Sequence, residues 1–410
     1  MGEKQKVVIV GHSYTSRMGI IRSIASLDCE ITVIAMVFRN KTERIIRLNT
    51  GKPVDCYSKY VSRVLFCLAD SESRLIDLLI KHCSHKDQKV ILIPDSDFAA
   101  AAIDNHQDQL IDYFLFPNIH HKSGEVVKWM NKDTQKQLAE SVGLNVVNGK
   151  VVSVCNGSYS FPDNVSYPCF TKPLATINGG KQFLRRCDKE EDLHRVLTGV
   201  SKKYNTDVLI EDFKTIEKEY AVVGFSDGDT VSIPGIIEFL VNSKSHMGIA
   251  REGIIRPISG FEHLISQFKD FVRRIGFCGL FDIDFFESNG VYYFDEMNLR
   301  FGGSGYAYTA MGANLPSLLV RHFQNPDQRC EVDDIQKSAS FVNERMCMDD
   351  FLHGYIDKKQ ITEIFNQADI HFIIDQEDTA PFKKMKREFL LLKLKRIRLR
   401  LKRMIKQRAF

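Results

Sequence analysis

Asp282 and Asp284 stand two apart in "FDIDFFESNG", and Glu296, Asn298 and Arg300 alternate in "VYYFDEMNLR". Both runs are rich in aromatic and apolar residues, and they meet at Asn289-Gly290, a dipeptide that favours a tight hairpin turn. Side chains alternate along a strand, so Asp282 shares a face with Asp284, and Glu296 shares one with Asn298 and Arg300. If those faces coincide across the hairpin, Asp284 and Glu296 become neighbours. Two carboxylates and an amide oxygen are hard donors suited to Mg²⁺ or Mn²⁺, and Mg²⁺ normally keeps substrate phosphates in its sphere. Without a cation, converging carboxylates repel and one takes up a proton. Arg300 can then grip a phosphoryl or carboxyl group through two parallel hydrogen bonds. A solvated hairpin with a surface ion pair is the plainer reading of the same residues.

Other residues upstream suit a phosphate-bearing ligand. Lys172, in "FTKP", ends an apolar strand just before a loop with Gly179, Gly180 and Lys181, an arrangement used to hold phosphates. Lys132 stands near the start of the helix "NKDTQKQLAESVG". In "VLIEDF" a strand edge formed by Ile210, Glu211, Asp212 and Phe213 offers backbone to pair with an adenine, and Glu219 is spaced to hold a ribose. A candidate substrate loop, "VNSKSHMGIAREGIIRP", is expected to be mobile over the site, with Lys244, His246, Arg251 and Arg256 as a cationic lining for an acidic substrate. Ser13, Tyr14 and Arg17, just after the first strand, are candidates to face the same cleft.

The elements that must position these residues fall into two textures. Through about residue 120, short apolar strands such as "KVVIVG", "EITVIAMVF" and "KVILIPDS" alternate with helices, which argues for an α/β domain built on a parallel sheet. The dinucleotide spacing Gly-x-Gly-x-x-Gly is absent, because Gly11 is followed by His12, Ser13 and Tyr14. That turn reads as fold-closing, with an anion at the helix N-terminus as the alternative. From about 121 to 330, strands paired through Asp-Gly and Asn-Gly turns mix with helices, an α+β texture. A smaller extension over 331–382 and a basic helix over 383–410 complete the expected organisation.

Taken in order, these features resemble the ATP-grasp superfamily, over about 120 to 325. The resemblance implies that Lys132 and Lys172 are nucleotide lysines and that Ile210, Glu211, Asp212 and Phe213 are the adenine hinge. It implies further that Glu219 is the ribose acid, that Asp284, Glu296 and Asn298 are Mg²⁺ ligands, and that Arg300 is a catalytic arginine. The first domain would then be the α/β domain that precedes the ATP-grasp fold. "DYFLFPNI", the continuation "MNLRFGGSGYAYTAMGANLP" and the basic C-terminal helix look like the bacterial D-aspartate ligase type of carboxylate-amine ligase. The activity implied is ATP-dependent, ADP-forming joining of an amine to a carboxylate through an acyl phosphate, on a cell-envelope or small-molecule precursor. A nucleotide-binding regulator without chemistry, and a nucleic-acid binder acting through its tail, are the rival classes.

Bulk properties set the remaining limits. The ten cysteines are scattered with no Cys-x-x-Cys pair, which suits reduced thiols in a cytoplasmic protein. No apolar run is long enough to span a bilayer. The short apolar run behind "MGEKQK" suits no signal peptide, and Lys6 stands where a myristoylation signal wants Ser or Thr. His82, Cys83 and His85, and His120 with His121, lack tetrahedral zinc spacing. Residues 383–410 carry thirteen Lys or Arg against the single acid Glu388, a net +12 within a chain whose net charge is +4, so the rest carries −8. Apolar residues at 390, 394, 397, 401 and 404 follow helical spacing in that tail. It is expected to be an amphipathic helix suited to an anionic membrane surface, making the protein peripheral on the membrane's inner face, with nucleic acid the less favoured partner.

Overall fold

The structure, a computed structural model, describes residues 4–37, 51–68, 71–174, 183–246, 248–327 and 331–408, with side chains as far as Arg396. The loop glycines 179 and 180 and Lys181 lie outside the described residues.

The opening strands form a five-stranded sheet in which Gln5–Gly11 pairs in parallel with Cys29–Val37 on one side and Val90–Pro94 on the other. Val61–Leu68 and Phe114–Leu115 complete its edges, also in parallel. Its central strands are apolar on both faces because helices cover both, and Val7, Ile9, Val8 and Val10 are all buried. The helix Tyr14–Ile24 starts directly after Gly11. Its N-terminus already has an anion: the Ser13 amide donates to the Asp95 carboxylate at 2.8 Å. Gly11 has φ of 150°, and a Cβ there would lie 2.1 Å from Asp95 Oδ1, so only glycine fits the turn.

Arg17 corrects one expectation. It is 1% exposed, and its Nη1 donates to Asp95 at 2.9 Å and to the Gly11 carbonyl at 2.8 Å, while Nη2 donates to Asp55 at 3.2 Å. A guanidinium taken out of water needs such partners. Arg17 therefore ties three segments of the first domain together and faces no cleft.

The middle of the chain forms a five-stranded antiparallel sheet, ordered Arg185–Cys187, Cys169–Pro173, Thr206–Asp212, Gly149–Cys155 and Ser158–Tyr159. The helix Glu190–Ser201 covers it through Leu193, Leu197 and Val200. A ten-stranded sheet follows, with the hairpin Phe277–Ser288 and Val291–Asn298 beside the long strand Lys218–Asp227. The helix Glu262–Ile275 covers one face. Its buried Ile265, Phe268, Phe271, Val272 and Ile275 follow helical spacing, and Gly276 ends it in the left-handed region at φ 70°. The other face packs toward the first domain, where Ala221, Val223, Ile237 and Ile255 share a core with Ile9, Ile20, Phe301 and Tyr308.

Three short pairings close the architecture. Asn118–Ile119 pairs with the start of Phe277–Ser288, bringing the chain out of the first domain onto the large sheet. Beyond residue 331, Ala339–Val342 adds to Ala250–Arg256, and Ile370–His371 adds to Ala339–Val342. The tail is one helix, Ala380–Arg408, which begins ahead of the charged run and seats Met385 in the core.

Candidate functional site

The hairpin register sets the acids. Asp284 pairs directly with Glu296, and Asp282 with Asn298. A β-bulge follows, because Phe285 pairs with Phe294 and leaves Asp295 as the extra residue. Plain alternation would send Asp295 to the opposite face from Glu296; at the bulge it reaches Lys172 instead. Asn298 Nδ2 donates to Asp284 Oδ2 at 3.2 Å. Arg300 bridges the large sheet and the parallel-sheet unit, with Nη1 3.2 Å from Asp282 and Nε 3.3 Å from Asp97 at the start of the helix Asp97–Asn105. Gly302 lies against the same acid: a Cβ there would be 2.8 Å from Asp282 Oδ2.

The lysines come from two other elements. Asn131 caps the helix Lys132–Ser141, its side chain accepting from the amides of Asp133 at 2.9 Å and Thr134 at 3.1 Å. Lys132 thereby opens the helix and pairs with Glu296, and its amide donates to the Leu174 carbonyl at 3.0 Å. Lys172 leaves the strand Cys169–Pro173 to meet Glu211 at 2.8 Å and also Asp295. Lys136, one turn beyond Lys132, contacts Glu211 and donates to the Val147 carbonyl at 3.0 Å. Three lysines and three acids from four segments thus converge.

Their protonation follows from burial and sign. Burial pushes Asp282 up to about 6, against the opposing pull of Arg300. Burial, then Asp282 and Glu296, hold Asp284 well above the usual carboxylate range. Burial also acts on Asp295, but Lys172 and then Lys132 outweigh it and hold that carboxyl at about 2. Lys132 is raised, because Glu296 and Asp295 overcome the effect of its burial. Burial and then Lys172 bring Lys136 down to about 7, with the Asp295 carboxylate acting in the other direction.

This donor set fits a divalent cation. Among the described residues no three of His, Cys, Asp or Glu close into a protein-only cage. The hairpin acids are instead shared with Lys132, Asn298 and Arg300, while Asp282 Oδ1 is buried without a hydrogen-bond partner. Such donors suit a hard cation that takes further ligands from a phosphate chain. The raised carboxyls give a pH dependence. A proton held by the cation-free site must leave when the cation binds, so affinity rises as pH climbs through the site's pKa. Mg²⁺ or Mn²⁺ titrated calorimetrically should therefore bind more weakly as pH falls, because Asp284 is held well above the usual carboxylate range. A pH-independent affinity would sink this account.

The nucleotide-hinge residues sit differently from expectation. The strand Thr206–Asp212 is no edge: it lies between Cys169–Pro173 and Gly149–Cys155, paired on both sides. The Asp212 amide goes to the Asn148 carbonyl and the Phe213 amide to the Pro168 carbonyl, both at 3.0 Å. Ile210 is buried within this ladder, and Glu211, 3% exposed, turns its side chain to Lys136 and Lys172. Beside the strand's end a cleft of about 540 Å³ is lined by Asn148, Lys214 and Tyr293. Glu219 pairs across from Phe286, on the sheet face shared with Asp284, and accepts from Asn242 Nδ2.

The candidate substrate loop is also corrected. Asp350 anchors it by accepting from Ser243 Oγ at 2.8 Å, the Ser245 amide at 2.9 Å and the Lys244 amide at 3.3 Å. Arg251 is held by Asp350 at 3.1 Å and Glu252 at 2.8 Å, and Arg256 by Glu238 at 2.7 Å. These arginines are neutralised by neighbours and form no free cationic lining. His246 pairs with Asp349 at 3.0 Å, and Lys244 stays exposed. In the first domain, Ser13 Oγ bonds Ser16 Oγ at 2.8 Å. The Tyr14 hydroxyl is buried without a hydrogen-bond partner, and Arg345 lies 6.0 Å from that ring's centroid. Lys136, Asp295 and Asp97, which contact the candidate residues Glu211, Lys172 and Arg300, were not singled out from the sequence. Lys136 was legible, four residues from Lys132 on one helix face.

No family model matches the chain. Part of it is similar to the carbamoyl phosphate synthase large chain of Clostridium botulinum, 26% identical over 178 residues. That match takes in 42% of this chain and 16% of the relative, so the chain spans well under a quarter of the length of that relative. In three dimensions it is similar to N5-carboxyaminoimidazole synthetase from Staphylococcus aureus complexed with ADP, at TM-score 0.60 and 16% identity, covering 88% of this chain and 87% of that one. It is similar also to an L-amino acid ligase from Bacillus licheniformis, at TM-score 0.57 and 15% identity, covering 83% of this chain and 80% of that one. The two solved structures are matched over most of this chain, and the chain has the ATP-grasp fold.

Proposed function

We propose that the protein is an ATP-dependent, ADP-forming ligase that joins an amine to a carboxylate. The observation that carries this reading is the register that sets Asp284 against Glu296, with Asn298 and Arg300 beside them and Lys132 and Lys172 facing them. A site in which lysines are matched to acids can exchange those partners for phosphates and a cation. The similar proteins named as a synthetase complexed with ADP and an L-amino acid ligase support the same class.

Lys132 and Lys172 would hold the nucleotide phosphates, with Lys136 behind them. The segment Glu211, Asp212 and Phe213, which runs into Lys214 at the cleft, would take the base, and Glu219 would hold the ribose. Asp284, Glu296 and Asn298 would hold Mg²⁺, which when bound supplies neutralisation of phosphate charge. A substrate carboxylate oxygen attacks the γ-phosphorus in line, the bond to the β–γ bridging oxygen breaks, and ADP leaves. The amine nitrogen then attacks the acyl carbon, the carbon–oxygen bond to phosphate breaks, and the nitrogen gives up a proton as the amide forms. Arg300 is placed to stabilise charge on the transferring group, the kind of fixed electrostatic contribution that dominates such reactions. The carboxylate belongs to a small-molecule or cell-envelope precursor, and the scattered thiols suit a cytoplasmic setting.

The test is ADP release from ATP and Mg²⁺ with pooled carboxylates and amines, the products read by mass spectrometry. Turnover should need both substrates, and Glu296→Gln should lower it at least about tenfold. ATP binding without turnover on any pair would mark a nucleotide-binding regulator. No ATP binding, or unchanged turnover in Glu296→Gln, would remove the ligase reading.

A further inference from the structure

The helix Ala380–Arg408 has two unlike faces. The inner one is docked. Met385 is 1% exposed, Phe389 stacks on Phe351 with ring centroids 5.5 Å apart, Glu388 accepts from Arg345 at 3.2 Å, and Arg396 donates to the Leu352 carbonyl. The outer one carries Leu390, Leu391 and Leu394, which are 56%, 50% and 54% exposed. At about 100° of rotation per residue, Leu394 lies about 180° from Met385 and about 40° from Leu390. Lys383, Lys386, Arg387, Lys393 and Lys395 are exposed around the same helix. In sequence, Ile397, Leu401 and Met404 continue the apolar spacing, and six further Lys or Arg stand among residues 397–408.

We infer that this outer face binds an anionic lipid surface. Three adjacent leucines held away from the core gain nothing in water, whereas the boundary between headgroups and acyl chains accepts them while lysine and arginine meet anionic headgroups. A nucleic-acid surface would use the cations and leave the leucines wet. Among the described residues no helix is long and apolar enough to cross a membrane, so the contact lies along the surface. The charge distribution agrees, with +12 on residues 383–410 and −8 on the remainder, which turns the body away from an anionic surface. The docked inner face makes the helix a fixed part of the body. Arg345 continues from Glu388 to Asp349 at 3.1 Å, and Asp349 meets His246 of the anchored loop. This inference goes beyond the ligase reading and stands independently of it.

Deleting the tail would take Met385 from the core, so surface substitution is the cleaner experiment. The full chain and the triple variant Leu390→Ser, Leu391→Ser, Leu394→Ser are floated with phosphatidylcholine vesicles, with and without phosphatidylglycerol. The parent should float with the anionic vesicles and lose binding as salt rises. The triple variant should partition at least about tenfold more weakly, with an unchanged melting temperature because these leucines lie outside the core. Equal flotation of parent and variant, or no flotation of the parent, would overturn the inference. So would binding of the parent to an RNA or DNA duplex in place of the vesicles.

Discussion

Arg300→Ala should lower kcat by about 10²–10³-fold while the Kd for ATP changes far less. The guanidinium stands between Asp282 and Asp97, 19% exposed on its side chain, and is held by them at 3.2 and 3.3 Å. A group fixed this firmly needs little reorganisation when charge develops on a transferring phosphoryl. Its loss also acts on Asp282, which burial already raises to about 6 and which Arg300 pulls down. Without Arg300 that carboxyl rises further, so the acid limb of the pH–rate profile should move to higher pH. Arg300→Lys keeps a charge but loses the planar fork that serves two acids, and should recover only part of the rate. Steady-state kinetics across pH with a separate nucleotide-binding assay reads all three effects. Parallel losses in kcat and ATP affinity, or no loss at all, would remove Arg300 from its proposed role.

Arg17→Met should destabilise the fold by about 3–5 kcal/mol, read by denaturant unfolding. Asp55 and Asp95 are both fully buried and lose their shared cation in that variant. Methionine keeps much of the volume, so most of the cost comes from uncompensated charge and little from a cavity. Adding Asp55→Asn and Asp95→Asn should return a large part of it, because a buried ion cluster removed whole costs far less than one broken. The Ser13 amide would still find an acceptor in the asparagine oxygen at position 95. A single Arg17→Met variant as stable as the parent would show that the cluster is not needed to hold the first domain's turn.

The hairpin and its acids were legible because local rules decide them. Asn-Gly places the turn, and the two-residue period of a strand places Asp282 with Asp284 and Glu296 with Asn298. The order of lysines, hinge and acids carried the ATP-grasp resemblance, and the fold agrees with it. The tail's helix was legible from its spacing. Tertiary structure alone decided which charges are spent on one another. Arg17, Arg251 and Arg256 read as available cations, yet Asp55, Asp95, Asp350 and Glu238 lie 38, 78, 99 and 18 residues away in sequence and meet them only in the fold. The bulge that turns Asp295 toward Lys172 depends on how two strands settle against their neighbours, and Asp97 reaches Arg300 only because the first domain packs on the large sheet. Sequence determines side-chain type and local period. Whether a charge is free for a ligand depends on distant partners, because a buried ion is stable only where the folded chain supplies its counter-charge.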